Sequence, residues 1–124
     1  MELQLAARLC GDYVVVDVAG EVDVATSDQL GRYLSGARKR DKRGTIVDLT
    51  RVTFMDCSGL RALVTAQRDE VMLGGELRLA APQPPVAKVL ALSDIYRLLP
   101  PFPTVEIAAE ALSSITIVPD TIAL

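Results

Sequence analysis

A nearly unbroken apolar run, Thr45-Ile46-Val47-Asp48-Leu49, is followed after a short link by a helix-period stripe that begins near Ser58. Such a run fits a central strand buried on both faces. A strand that feeds an amphipathic helix restricts the topology sharply. The helix must fold back over the sheet and deliver the next strand parallel to the first.

The flanking pattern repeats this alternation. Leu3, Leu5, Ala7 and Leu9 alternate with Glu2, Gln4, Ala6 and Arg8, the period of a half-buried strand. Gly11-Asp12 supplies a turn and residues 13–18 are rich in β-branched side chains, which predicts an antiparallel hairpin. Thr26-Ser27-Asp28-Gln29 reads as a capping box ahead of Leu30, Tyr33, Leu34 and Ala37 at helical spacing. That helix is expected to end in the basic run Arg38-Lys39-Arg40-Asp41-Lys42-Arg43, before Gly44.

From Ser58 onward, Leu60, Leu63, Val64, Gln67 and Val71 mark the inner stripe of a second helix, stopped by Gly74-Gly75. Residues 76–80 alternate as a strand, and Pro84-Pro85 opens a third helix carrying Val86, Val89 and Leu90. Residues 97–103 are proline-rich, so any strand there lies at an edge. Thr104 can cap a last short helix through Leu112.

The expected fold is α/β, with one domain over residues 1–113. Its sheet is mixed and mainly parallel, of four to five strands, with about four α-helices. Residues 114–124 form an apolar extension carrying Ile115, Ile117, Val118 and Ile122. An added strand, a cover for an apolar patch, a subunit contact and terminal disorder all remain open for it.

Composition closes several functional classes. At 124 residues with half of them apolar, the chain can bury the core of one ordinary domain. A net charge of −3 argues against nucleic acid as the main partner. The basic run reads as a phosphate-binding patch or, more simply, as solvated cations complementing the carbonyl end of a helix. With no histidine there is no Ser-His or Cys-His pair and no His-ligated zinc. The two cysteines, Cys10 and Cys57, lie far apart and make a poor metal site. No metal or cofactor is implied. Leu3 and Leu5 alternate with polar residues where a signal peptide would need an apolar block, and no stretch approaches the roughly 20 apolar residues of a membrane span. A cytoplasmic setting with free thiols is expected.

The segment from Val47 to Leu60 holds the functional information. Asp56, Cys57 and Ser58 fall where the unpaired N–H groups of a helix start point outward, and Gly59 leaves room for a close approach by a partner or a phosphate. A phosphoryl group on Ser58 adds about −1.5 to −2 charges, which a helix N-terminus accommodates in part. Local pattern alone makes Ser58 an ordinary N-cap. Cys57 reads as a small packed residue, with a redox thiol as the alternative.

Asp56-Cys57-Ser58-Gly59-Leu60, standing after Val47-Asp48-Leu49, resembles the signature of the STAS domain of anti-sigma factor antagonists. Gly20-Glu21-Val22-Asp23 with Ala25-Thr26, and the stretches Val89-Leu90-Ala91-Leu92, Phe102-Pro103-Thr104 and Glu110-Ala111-Leu112, are similar to further family features in the same order. Cys57 stands where the family more often has Ser or Thr. The resemblance implies a protein-binding switch in transcription regulation rather than an enzyme. Its partner would be an anti-sigma factor that is also a Ser/Thr kinase, and binding would free a sigma factor. Ser58 would be the phosphorylation site, and a metal-dependent Ser/Thr phosphatase would reverse the step. Partner contact would involve Glu21, Asp23, Thr26, Asp56, Cys57, Gly59, Leu60 and Arg61. Two alternatives stand beside it. One is a non-switched STAS scaffold, such as a stressosome component or lipid-transport partner. The other is an enzyme with Cys57 or Ser58 as nucleophile, against which the missing histidine argues.

Overall fold

The computed structural model describes residues 2–112. Among them are four strands and five helices: β1 (Gln4–Cys10), β2 (Tyr13–Val22), α1 (Ser27–Ala37), β3 (Gly44–Met55), α2 (Cys57–Met72), β4 (Glu76–Ala80), α3 (Pro84–Ala91), α4 (Ile95–Leu98) and α5 (Val105–Glu110). The sheet order is β1-β2-β3-β4; β1 runs antiparallel to β2, and β2, β3 and β4 are mutually parallel. The expected α/β architecture is therefore present. The extension from residue 114 lies outside the described residues. No helix among the described residues is long and apolar enough to cross a membrane.

Strand alternation builds two cores. Val14, Val16, Val18, Val47, Leu49, Leu77 and Leu79 face Leu30 and Leu34 of α1, Leu60 and Leu63 of α2, and Val86 and Leu90 of α3. On the opposite face Tyr13, Val15, Ile46 and Ala80 meet Val105 and Ala108 of α5. Burial on both sides is why residues 45–49 read as a continuous apolar run. The second face is covered only in part. Beyond α5, Arg8 lies between Asp17 (3.1 Å) and Asp48 (3.3 Å), so this open patch of sheet is charged rather than apolar.

Several local expectations are corrected. β3 runs to Met55 rather than Leu49, because β2 also continues to Val22 and pairs with it through two register irregularities. The capping box does not form. The Thr26 hydroxyl donates to Glu21 O and accepts the Asp23 N–H, while Gln29 bonds both backbone groups of Leu3 (3.1 Å each) and anchors the start of β1. α1 ends at Ala37, so the basic run follows the helix instead of filling its last turn. On α2 the buried stripe continues from Leu63 to Glu70, and Val71 is exposed. The proline-rich stretch contributes a single bridge, Ala80 to Phe102, after the short helix α4. Thr104 does cap α5, its hydroxyl accepting the Ile107 N–H at 3.0 Å.

Two charged residues inside the fold had no sequence signal. Arg78 is buried between the rings of Tyr13 and Phe102, pairs with Glu76 (3.1 Å), and donates to the carbonyls of Ala108 and Ala111. It thereby ties the C-terminal end of α5 to the sheet. Glu70 accepts the Thr45 hydroxyl at 2.5 Å and faces Arg38 at 3.7 Å. Burial pushes its carboxyl above the usual carboxylate range, and Thr45 and Arg38 offset this only in part.

Candidate functional site

β2 and β3 end side by side, with Glu21 opposite Phe54 and Val22 opposite Met55. The Asp56 N–H donates to Val22 O at 3.2 Å, which fixes the loop after β2 beside the start of α2. In that loop the Asp23 carboxylate accepts the Ala25 N–H (2.9 Å), and Asp23 O accepts the N–H groups of Thr26 and Ser27. Two acidic residues, Asp23 and Asp56, are thus held next to one helix start.

Asp56, not Ser58, is the N-cap of α2. Its side chain accepts the N–H groups of Ser58 (2.9 Å) and Gly59 (3.3 Å). Cys57 and Ser58 are the first two helical residues. Capping duty therefore passes to the acid, and the Ser58 hydroxyl makes no hydrogen bond among the described residues. Ser58 is half-buried and lines a groove of about 510 Å³ between α1 and α2, together with Val24, Asp28, Arg32, Arg61 and Ala62.

The residues expected at the partner surface separate by exposure. Glu21, Cys57 and Arg61 are exposed, and Asp23 and Asp56 are half-buried. Thr26 and Leu60 are buried at 4% and 6% exposure, and Gly59 is also buried. These three support the surface instead of presenting side chains on it. Gly59 is needed for an internal reason. A Cβ there would stand 2.7 Å from Met55 Cγ and 2.8 Å from Val22 Cγ1, so the missing side chain faces the core and not a partner. Cys57 is exposed, which overturns its reading as a packed residue. Val24 (80% exposed) and Phe54 (47% exposed) are large apolar side chains at the same end that carry no sequence signal of their exposure. A lone Val in a loop and a Phe near a strand end look like core residues until the register is known.

The family model of the STAS domain matches residues 4–108. The chain belongs to the STAS domain family. Among relatives of this STAS domain, an anti-sigma F factor antagonist of Paenibacillus polymyxa is 28% identical over 101 residues, spanning 81% of this chain and 86% of that protein. The crystal structure of an anti-sigma factor antagonist from Mycobacterium paratuberculosis superposes with a TM-score of 0.76 at 22% identity, covering 86% of this chain and 90% of the other. The Bacillus cell fate determinant SpoIIAA in its phosphorylated form is similar at 26% identity and a TM-score of 0.60, covering 86% of this chain and 95% of that one.

Proposed function

We propose that this STAS domain is an anti-sigma factor antagonist, a binding protein whose affinity for an anti-sigma factor kinase is set at Ser58. The unphosphorylated form engages the kinase and frees a sigma factor. Phosphorylation of Ser58 by that kinase ends the contact, and a metal-dependent phosphatase restores it. The observation that carries this reading is the division of labour at the start of α2. Asp56 caps the helix, so the Ser58 hydroxyl is left unbonded beside an open groove. Support also comes from the relatives named as antagonists and from the phosphorylated state of SpoIIAA.

The chemistry supplies a reason for release. Asp23, Asp56 and Glu21 already make this end acidic, and a phosphoserine adds about −1.5 to −2 charges at the same place. Closing the contact with the phosphate in place presses it against Asp23 and Asp56 and strips its water, a like-charge repulsion and a desolvation cost that the unmodified serine does not carry. The test is direct phosphorylation of the purified chain by the cognate anti-sigma factor and ATP, followed by peptide mass spectrometry. One phosphate on Ser58 is the expected product. Absence of phosphate, or phosphate on another residue, would refute the proposal.

A further inference from the structure

We infer that the α1–α2 groove is itself a phosphate-ester site, filled in cis by the phosphoryl group on Ser58, with Arg61 and Arg32 as its two cationic walls. The inference rests on Ser58 as the acceptor and adds what the phosphate does once it is there. Ser58, Arg61 and Arg32 all line the same groove. Arg61 stands three residues after Ser58 on α2, the spacing at which side chains on one helix face meet. Cα–Cβ bonds in a helix tilt toward its N-terminus, so the Arg61 side chain leaves the helix on the side of the turn that carries Ser58. Arg32, on the neighbouring α1, leans by the same rule toward the N-terminal end of that helix.

Both guanidinium groups are available. Neither Arg32 nor Arg61 enters an ion pair within 4.0 Å among the described residues, whereas Arg8, Arg38 and Arg78 each do. The other charged groups lining the groove are Asp28 on α1, Arg38 just after it, and Asp69 and Glu70 on α2, with Arg38 facing Glu70 at 3.7 Å. Asp56 at the cap of α2, and Glu21 and Asp23 at the end of β2 and in the following loop, lie beside the groove. The backbone N–H groups of Ser58 and Gly59 are already taken by Asp56, so the helix start offers the phosphate little. Charge-assisted pairing with the two arginines is the compensation the site contains. Phosphorylation then joins α1 to α2 across the groove and occupies cations that a partner's acidic groups would otherwise use.

The test uses the full chain with phosphoserine installed at position 58 by genetic code expansion, so it does not depend on any kinase. The second ionisation of the phosphoserine, ordinarily near pH 6, is followed by phosphorus NMR in the parent, R61A, R32A and R61K proteins. Cations favour the dianion, so R61A and R32A each raise the apparent pKa by about 0.3–0.5 units, and R61K restores part of the shift. Phosphorylation also raises the melting temperature of the parent more than that of either alanine variant. An apparent pKa unmoved by R61A or by R32A overturns the inference, even where Ser58 proves to be the kinase's target. Failure of the kinase to label Ser58 overturns the proposed switch and leaves this measurement standing.

Discussion

Removing the Asp56 side chain and removing the Ser58 hydroxyl have different consequences if the two residues divide the tasks described above. Asp56→Ala withdraws the acceptor from two N–H groups, held at 2.9 and 3.3 Å, at the start of a 16-residue helix. Loss of an N-cap of this kind costs about 1 kcal/mol, within a range of roughly 0.5–2. For a domain of this size that is a fall in melting temperature of about 4 °C. Ser58→Ala deletes a hydroxyl with no partner among the described residues and gains a few tenths of a kcal/mol in helix propensity. Its effect stays within about 0.5 kcal/mol of zero. Thermal and urea unfolding followed by far-ultraviolet circular dichroism separates the two. If Ser58→Ala destabilises as much as Asp56→Ala, the serine is a structural cap and not a free acceptor hydroxyl.

Gly59→Ala places a methyl group against Met55 and Val22. The overpacking cost of about 1–3 kcal/mol outweighs the roughly 0.8–1 kcal/mol gained in helix propensity. A net loss near 1 kcal/mol in urea unfolding is expected, and a neutral result would contradict the close packing. Glu70 carries a raised carboxyl pKa in the folded state, so the native protein binds its proton more readily than the unfolded chain does. Its contribution to stability therefore declines as pH rises above the ordinary glutamate value of about 4.3 and through the raised one. Glu70→Gln removes that decline while keeping an acceptor for Thr45. Its stability relative to the parent should rise from acid toward neutral pH, and a pH-independent difference would sink the assignment.

The parts of the fold legible in the sequence were those written as period. The β1–β2 hairpin, the parallel crossover through β3 and α2, and the Thr104 cap follow from alternation, helical spacing and a hydroxyl before a helical stretch. The parts that escaped depend on partners that period does not reveal. Thr26 and Gln29 match a capping box, yet the loop after β2 folds back so that Thr26 bonds Glu21 and Asp23, and Gln29 reaches across to Leu3 at the start of β1. Arg78 and Glu70 look like surface charges, and only the packed structure supplies the aromatic rings, carbonyls and hydroxyl that make their burial tolerable. At the candidate site, the segment from Asp56 to Leu60 was visible as a unit, but its internal roles were not. Local pattern puts the cap on Ser58 and the free space of Gly59 outward. The structure gives the cap to Asp56 and turns the space of Gly59 inward. Arg32, Val24 and Phe54 share this end of the molecule by topology alone.

In the proposed switch, one phosphate on Ser58 separates this domain from its anti-sigma factor. That separation is tested most directly by titrating the purified cognate anti-sigma factor with the unmodified chain and with the chain carrying phosphoserine at position 58, using isothermal calorimetry. Like-charge contact at a closed interface costs several kcal/mol, so the phosphorylated chain should bind at least about 100-fold more weakly. Equal affinities for the two forms would rule the proposed switch out.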